Sequence, residues 1–210
     1  MDANTTGINQ VALGYDALSD NTTGNYNIAI GHSSLERNTT GNSNTAIGYA
    51  SLFINTEGNK NTASGFSALY SNTTANENTA VGYYSLKENT VGNNNVAVGA
   101  HSLGANISGN ENTALGYNAL KLNTTASSNS AFGKSALQAT TTGTANTGSG
   151  AHSLQANVAG NYNTAHGYTS LYKNTSGNSN TSVGHSSLSE NLTGDSNTAI
   201  GYGAGDAITT

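Results

Sequence analysis

Cysteine, proline and tryptophan are all absent from this chain, and only 8% of its residues are charged. Without cysteine there is no disulfide and no thiolate metal site, and the redox compartment leaves no trace in the sequence. The lack of proline across 210 residues fits a backbone whose amides are nearly all used as ladder donors, since proline supplies none. No stretch is apolar for even ten residues, so no membrane span or membrane insertion is encoded. The start Met1-Asp-Ala-Asn-Thr-Thr has neither the basic residues nor the apolar core of a secretory signal. Work outside a cell would need an export signal on a part beyond this chain, release by lysis, or a dedicated machine. Six basic residues and a formal net charge of −5 leave no electrostatic footprint for nucleic acid.

Large aliphatic residues are scarce too, a composition that ordinarily goes with disorder. Here, however, the net charge is too small to hold the chain open by repulsion, and the apolar residues are not scattered. They fall in columns set by one module, Asn-Thr-Ala-Ile-Gly-Tyr-x-Ser-Leu-x-x-Asn-Thr-Thr-Gly-Asn-x, which returns every 17 residues. Counted from the Asn before Thr-Ala, copies begin at 10, 27, 44, 61, 78, 95, 112, 129, 146, 163, 180 and 197, so residues 1–210 read as a single repeat array. The fifth position is Gly in all twelve copies, from Gly14 to Gly201, and the ninth is Leu in eleven, failing only at Gly205. The eighth is always small, and no insertion breaks the register. A period this rigid means that each copy lies on its neighbour, as in an array and not in a compact enzyme domain.

A unit of 17 residues is too short for a helix pair, and Asn, Gly and Thr disfavour helix interiors. The expected fold is all-β: a parallel β-solenoid, or β-roll, of about twelve 17-residue coils, each hydrogen-bonded to the next. At roughly 4.8 Å per coil the rod is on the order of 55 to 60 Å long. Within a coil, Thr-Ala-Ile is expected to form one short strand and Tyr-x-Ser-Leu a second, with the invariant Gly serving a bend of positive φ or close backbone approach. The fourth and ninth positions are expected in the interior. Asn-Thr-Thr-Gly-Asn is expected to make an exposed outer turn, in which Asn and Thr bond to nearby backbone. Stacked Asn side chains can satisfy one another up the array.

The segment Asn44-Thr-Ala-Ile-Gly-Tyr-Ala-Ser-Leu, with its copies at Asn78, Asn112, Asn163 and Asn197, resembles the head repeat of trimeric autotransporter adhesins of the YadA type. It is also similar to arrays in bacterial and phage tail-fibre-like proteins. The resemblance covers residues 4 to 210. It implies a left-handed roll, three chains to a fibre, and attachment at an extracellular surface, on a cell or a virion fibre. The adhesin unit is shorter than the 17 residues here, with the extra length falling in the Asn-Thr-Thr-Gly turn. Neither a heptad stalk nor a membrane-anchoring strand set is present, so the chain reads as a segment of a longer fibre.

Candidate sites are few. Tyr15, Tyr49, Tyr83, Tyr117, Tyr168 and Tyr202 occupy the sixth position, interrupted by His32, Phe66, Ala100, Lys134, Ala151 and His185. They read either as a ligand-facing stripe that stacks on sugars or a partner, or as rings that merely stiffen a solvent face. The five histidines, His32, His101, His152, His166 and His185, do not share a column in consecutive coils, so no metal site is expected within the chain. His166 stands in the fourth column with Ser64 and Ser149, where a threefold axis would bring three copies together. Sequons at Asn4, Asn21, Asn38, Asn72, Asn106, Asn123, Asn174 and Asn191 are glycan acceptors in form, but the turn itself demands Asn and Thr there. Acidic residues such as Asp16, Glu36, Glu57, Glu77, Glu88, Glu111 and Glu190 are dispersed over variable positions and supply no catalytic constellation. No cofactor is expected.

Both ends of the array fall in the outer turn, at Asn4 and Thr210, and the last copy drifts at Gly203-Ala-Gly-Asp-Ala-Ile. Uncapped terminal coils expose strand edges, which neighbouring domains or end-to-end stacking would cover. The function expected from the sequence is a structural, adhesive fibre segment with itself as one partner, as a homotrimer, and an unidentified host or environmental surface ligand as the other. An ice-binding solenoid is the competing class, since Thr recurs at the second position, although Val11, Ile28, Val96 and Ser130 interrupt that file. A self-assembling extracellular filament subunit is a further alternative.

Overall fold

The computed structural model describes residues 3–209; Met1, Asp2 and Thr210 lie outside the described residues, and with them the placement of Thr210 in the outer turn. Among the described residues the fold is a parallel β-solenoid without helix. Its twelve strands are β1 (Val11–Leu13), β2 (Ile28–Ile30), β3 (Thr45–Ile47), β4 (Thr62–Ser64), β5 (Thr79–Val81), β6 (Val96–Val98), β7 (Thr113–Leu115), β8 (Ser130–Phe132), β9 (Thr147–Ser149), β10 (Thr164–His166), β11 (Thr181–Val183) and β12 (Thr198–Ile200). They form one sheet in chain order, each strand pairing with the next at an offset of one repeat, as in Thr45↔Thr62 and Ala46↔Ala63.

Each coil contributes one strand, not two. The expected second strand, Tyr-x-Ser-Leu, is a turn in which the seventh and ninth residues take left-handed backbone, for example His101 at φ 58° and Leu103 at φ 49°. All eleven column leucines share this conformation, with φ between 49° and 53°. Left-handed backbone is sparsely populated for residues with a Cβ, and here it serves hydrogen bonding between coils. The Leu35 amide reaches Ser51 O in the next coil at 2.9 Å, while the Ser33 amide reaches Tyr15 O in the previous one at 2.9 Å. The ladder thus runs through the turn without extended geometry. At the fifth position φ lies between 121° and 140°, and a Cβ on Gly48 would stand 2.7 Å from Gly65 O, so both of the expected reasons for glycine hold.

The interior is narrow. Alternation along a three-residue strand sends the middle side chain inward and its neighbours outward, so Ala at the third position is buried while the fourth position faces out. The expectation that the fourth column lies inside is therefore corrected: Ile47 is 41% exposed and Leu115 37%. The core consists of the Leu column, the third-position Ala and the small eighth residues. At the last coil, where Gly205 replaces Leu, Ile208 and Ala204 pack against this core instead.

The turn at positions twelve to sixteen is only half exposed, a third correction. The Thr pair meets solvent, but the twelfth-position Asn is fully buried from Asn21 to Asn191. Its amide donates to the carbonyl three residues on and to the same Asn one coil back: Asn38 Nδ2 to Gly41 O at 3.0 Å and to Asn21 Oδ1 at 2.7 Å. A second buried ladder runs along the first position, where the Asn44 amide donates to Asn27 Oδ1 at 2.9 Å and Asn44 Nδ2 to Gly58 O at 2.7 Å. A third, half-buried, runs along the sixteenth, with the Asn42 amide donating to Asn59 Oδ1 at 2.8 Å. Three ladders of hydrogen-bonded amides, broken in the twelfth column at Asn123 Oδ1 and ended at Asn191 Oδ1, occupy space that apolar side chains fill in most proteins.

Candidate functional site

Past each three-residue strand, whose first and third residues face out, the chain bends at Gly, and the ring at the sixth position of the repeat is exposed. All six stripe tyrosines are exposed, Tyr83 least at 48% and Tyr202 most at 84%. Stacking one coil apart puts rings face to face. Tyr15, His32, Tyr49, Phe66 and Tyr83 form a continuous file with centroids 5.0 to 5.5 Å apart and interplanar angles of 11 to 28°. Tyr168, His185 and Tyr202 form a second file at 5.3 and 5.1 Å. Such pairs contribute about 0.5 to 1.5 kcal/mol each beyond area burial.

Between the two files the column lacks rings at Ala100, Lys134 and Ala151, and Tyr117 meets only His101, edge-on at 6.4 Å. The stripe the sequence suggested is thus two stacked blocks separated by a middle section. The histidines belong to these rows: His32 and His185 are sandwiched between rings, and His101 and His152 meet Tyr83 and Tyr168 edge-on at 5.4 and 5.9 Å. His166 faces out on β10. Among the described residues no three His, Asp or Glu side chains group as metal ligands.

Sequence reasoning missed a second aromatic locus at the seventh and tenth positions, because these columns are too variable to announce themselves. Phe53 and Tyr70 stack at 5.1 Å, with the Arg37 guanidinium 5.0 Å from the Phe53 ring. Tyr84 lies tilted against Tyr83 at 4.1 Å, and Lys87 Nζ stands 5.2 Å from its ring. Glu88 accepts from Lys87 at 2.6 Å, and that hydrogen bond raises the Lys87 ammonium above the ordinary lysine range. Around the coil from the stripe, the sequons are closed to modification: apart from exposed Asn4, every sequon Asn is buried with its amide in the ladder.

Comparison with known proteins finds no matching family model, no similar curated protein and no similar solved structure.

Proposed function

We propose that the chain is a segment of an extracellular adhesive fibre, a rigid non-catalytic rod that holds a binding surface away from a cell or particle. The observation that carries the reading is the coincidence of two outward files on one rod: the apolar fourth column and the stacked aromatic sixth column. Exposed apolar side chains gathered into a contiguous strip mark an interaction surface. The fourth column, with Leu13, Ile47, Val98 and Leu115 in solvent on a lone chain, is the surface that association buries, and three parallel copies burying it against one another make the fibre. The tyrosines border that seam and remain available to a surface ligand, their rings offering broad apolar faces and a polar tip.

The rod suits this work because its stiffness does not depend on a wide core: backbone and Asn ladders run its length. An ice-binding role has one supporting observation, the outward placement of the second-position threonines beside the strand bend. Its file is broken by Val11, Ile28, Val96 and Ser130, and the partner file is apolar instead of hydroxylated. The test is a binding assay of the purified chain on immobilised glycans and matrix proteins, run beside a thermal hysteresis measurement. Saturable binding that weakens at least tenfold in a Tyr49→Ser, Tyr83→Ser variant supports adhesion. Hysteresis without binding overturns it in favour of ice.

A further inference from the structure

The ladder of coils has one notch. At the tenth and eleventh positions most coils carry at least one long side chain, but the coil between β6 and β7 carries Gly104 and Ala105. The backbone does not break there: the Glu88 amide reaches Gly104 O at 3.2 Å and the Ala105 amide reaches Lys121 O at 3.1 Å. Truncated side chains alone open a cavity of about 260 Å³. Tyr84 and His101 form its aromatic wall, Leu122 and Ala105 its aliphatic side, and Lys87, Glu88 and Lys121 its polar rim. Small-molecule sites run from roughly 300 Å³ upward, so this notch has the size for one ring and not for a chain.

The chemistry of the rim is specific. Two of the six basic residues of the chain meet here. Lys87 is engaged by Glu88, whereas Lys121 makes no ion pair among the described residues. Two ammonium groups and one carboxylate leave one net positive charge, which complements a monoanion. Glu88 adds acceptor oxygens for hydroxyl donors, and the Tyr84 ring and Leu122 present apolar surface to C–H groups. We propose that this notch binds a single carboxylated sugar, a hexuronic acid or its like, with the pyranose ring between Tyr84 and Leu122, its carboxylate on Lys121 and its hydroxyls on Glu88. The site adjoins the tyrosine stripe, since Tyr84 and His101 both contact Tyr83, but it does not depend on the fibre reading: an inert spacer could carry it equally well.

Affinity for so small a ligand is on the order of 1 mM, within reach of NMR titration of the intact chain. Free glucuronate is the probe, with glucose, acetate and glucose 6-sulfate as comparators. The expected result is saturable perturbation of Tyr84, His101 and Leu122 signals by glucuronate, at least tenfold weaker with each comparator. Gly104→Tyr fills the notch with a side chain that the tenth column already holds at Tyr70 and Tyr172, and Lys121→Gln removes the free ammonium. Both should abolish the perturbation while the thermal melt stays that of the parent. Equal response to acetate means nonspecific pairing with lysine and overturns the proposal. So does preference for the sulfated sugar, or binding that survives Gly104→Tyr. If glucuronate binds but the chain adheres to no surface, the notch stands and the adhesive function falls.

Discussion

A single residue, Thr140, interrupts the most regular feature of the molecule. It stands in the twelfth column, where its hydroxyl makes no hydrogen bond and the Asn123 Oδ1 below it is left without a donor. Asn157, one coil on, donates to Gly160 O but finds no Asn acceptor behind it. Replacing Thr140 by Asn supplies the donor for Asn123 and the acceptor for Asn157 at once. Buried unsatisfied groups cost about 1 to 3 kcal/mol each, so Thr140→Asn is expected to stabilise the chain by about 1 to 2 kcal/mol in denaturant melts. An unchanged midpoint would mean that the ladder is not the source of order. The left-handed leucines make a second residue-scale prediction. Leu103→Ala should cost about 2 to 5 kcal/mol through the cavity it leaves, and Leu103→Met under about 1.5. Leu103→Ile, although equal in volume, should cost more than Leu103→Met, because a β-branched side chain resists φ near 49°.

At the scale of the coil, the sequence disclosed its period, its parallel strand and its Leu column, since these repeat with identical residues and the register admits no slip. What it concealed has a common physical cause. Tyr-x-Ser-Leu looks like a strand because leucine is a poor choice for left-handed backbone, and nothing in residue type warns that the ladder bonds force it there. The fourth column looks buried because Ile, Val and Leu fill it, yet a three-residue strand with Ala in its centre can send only that Ala inward. Tyr15 through Tyr202 were legible as a stripe, but its division into two stacked blocks depends on which rings meet across Ala100 and Ala151, and the Tyr84 locus depends on a variable column. The alternation is testable within β6. Ala97→Val should destabilise by about 1 to 3 kcal/mol by overpacking the narrow interior, while Val96→Thr on the outward face should stay within about 0.5. The opposite order of melting temperatures would put the strand in the other register.

For the whole molecule, the question is what covers the outward apolar file. A private core of one Leu, one Ala and one small residue per coil is thin, and much of the remaining interior is amide. The fourth column supplies the apolar surface that this core lacks, but it lies outside, where water meets Leu13, Ile47, Val81, Val98 and Leu115 on a single chain. The column tolerates polarity for folding, since Ser64 and Ser149 occupy it without disturbing the pairing of β4 and β9 with their neighbours. Folding does not require an apolar fourth column, so the proposed association can be tested apart from it. The parent chain is expected to scatter light as a species of three times the 21.2 kDa chain mass. A variant carrying Ile47→Lys and Val98→Lys should keep the circular dichroism of the parent, because both side chains already project from the rod, yet scatter as a monomer, because ammonium groups buried in a shared seam have no partner there. A parent that is itself monomeric would remove the seam and with it the fibre. A double variant that stays trimeric would move the seam to another face of the coil.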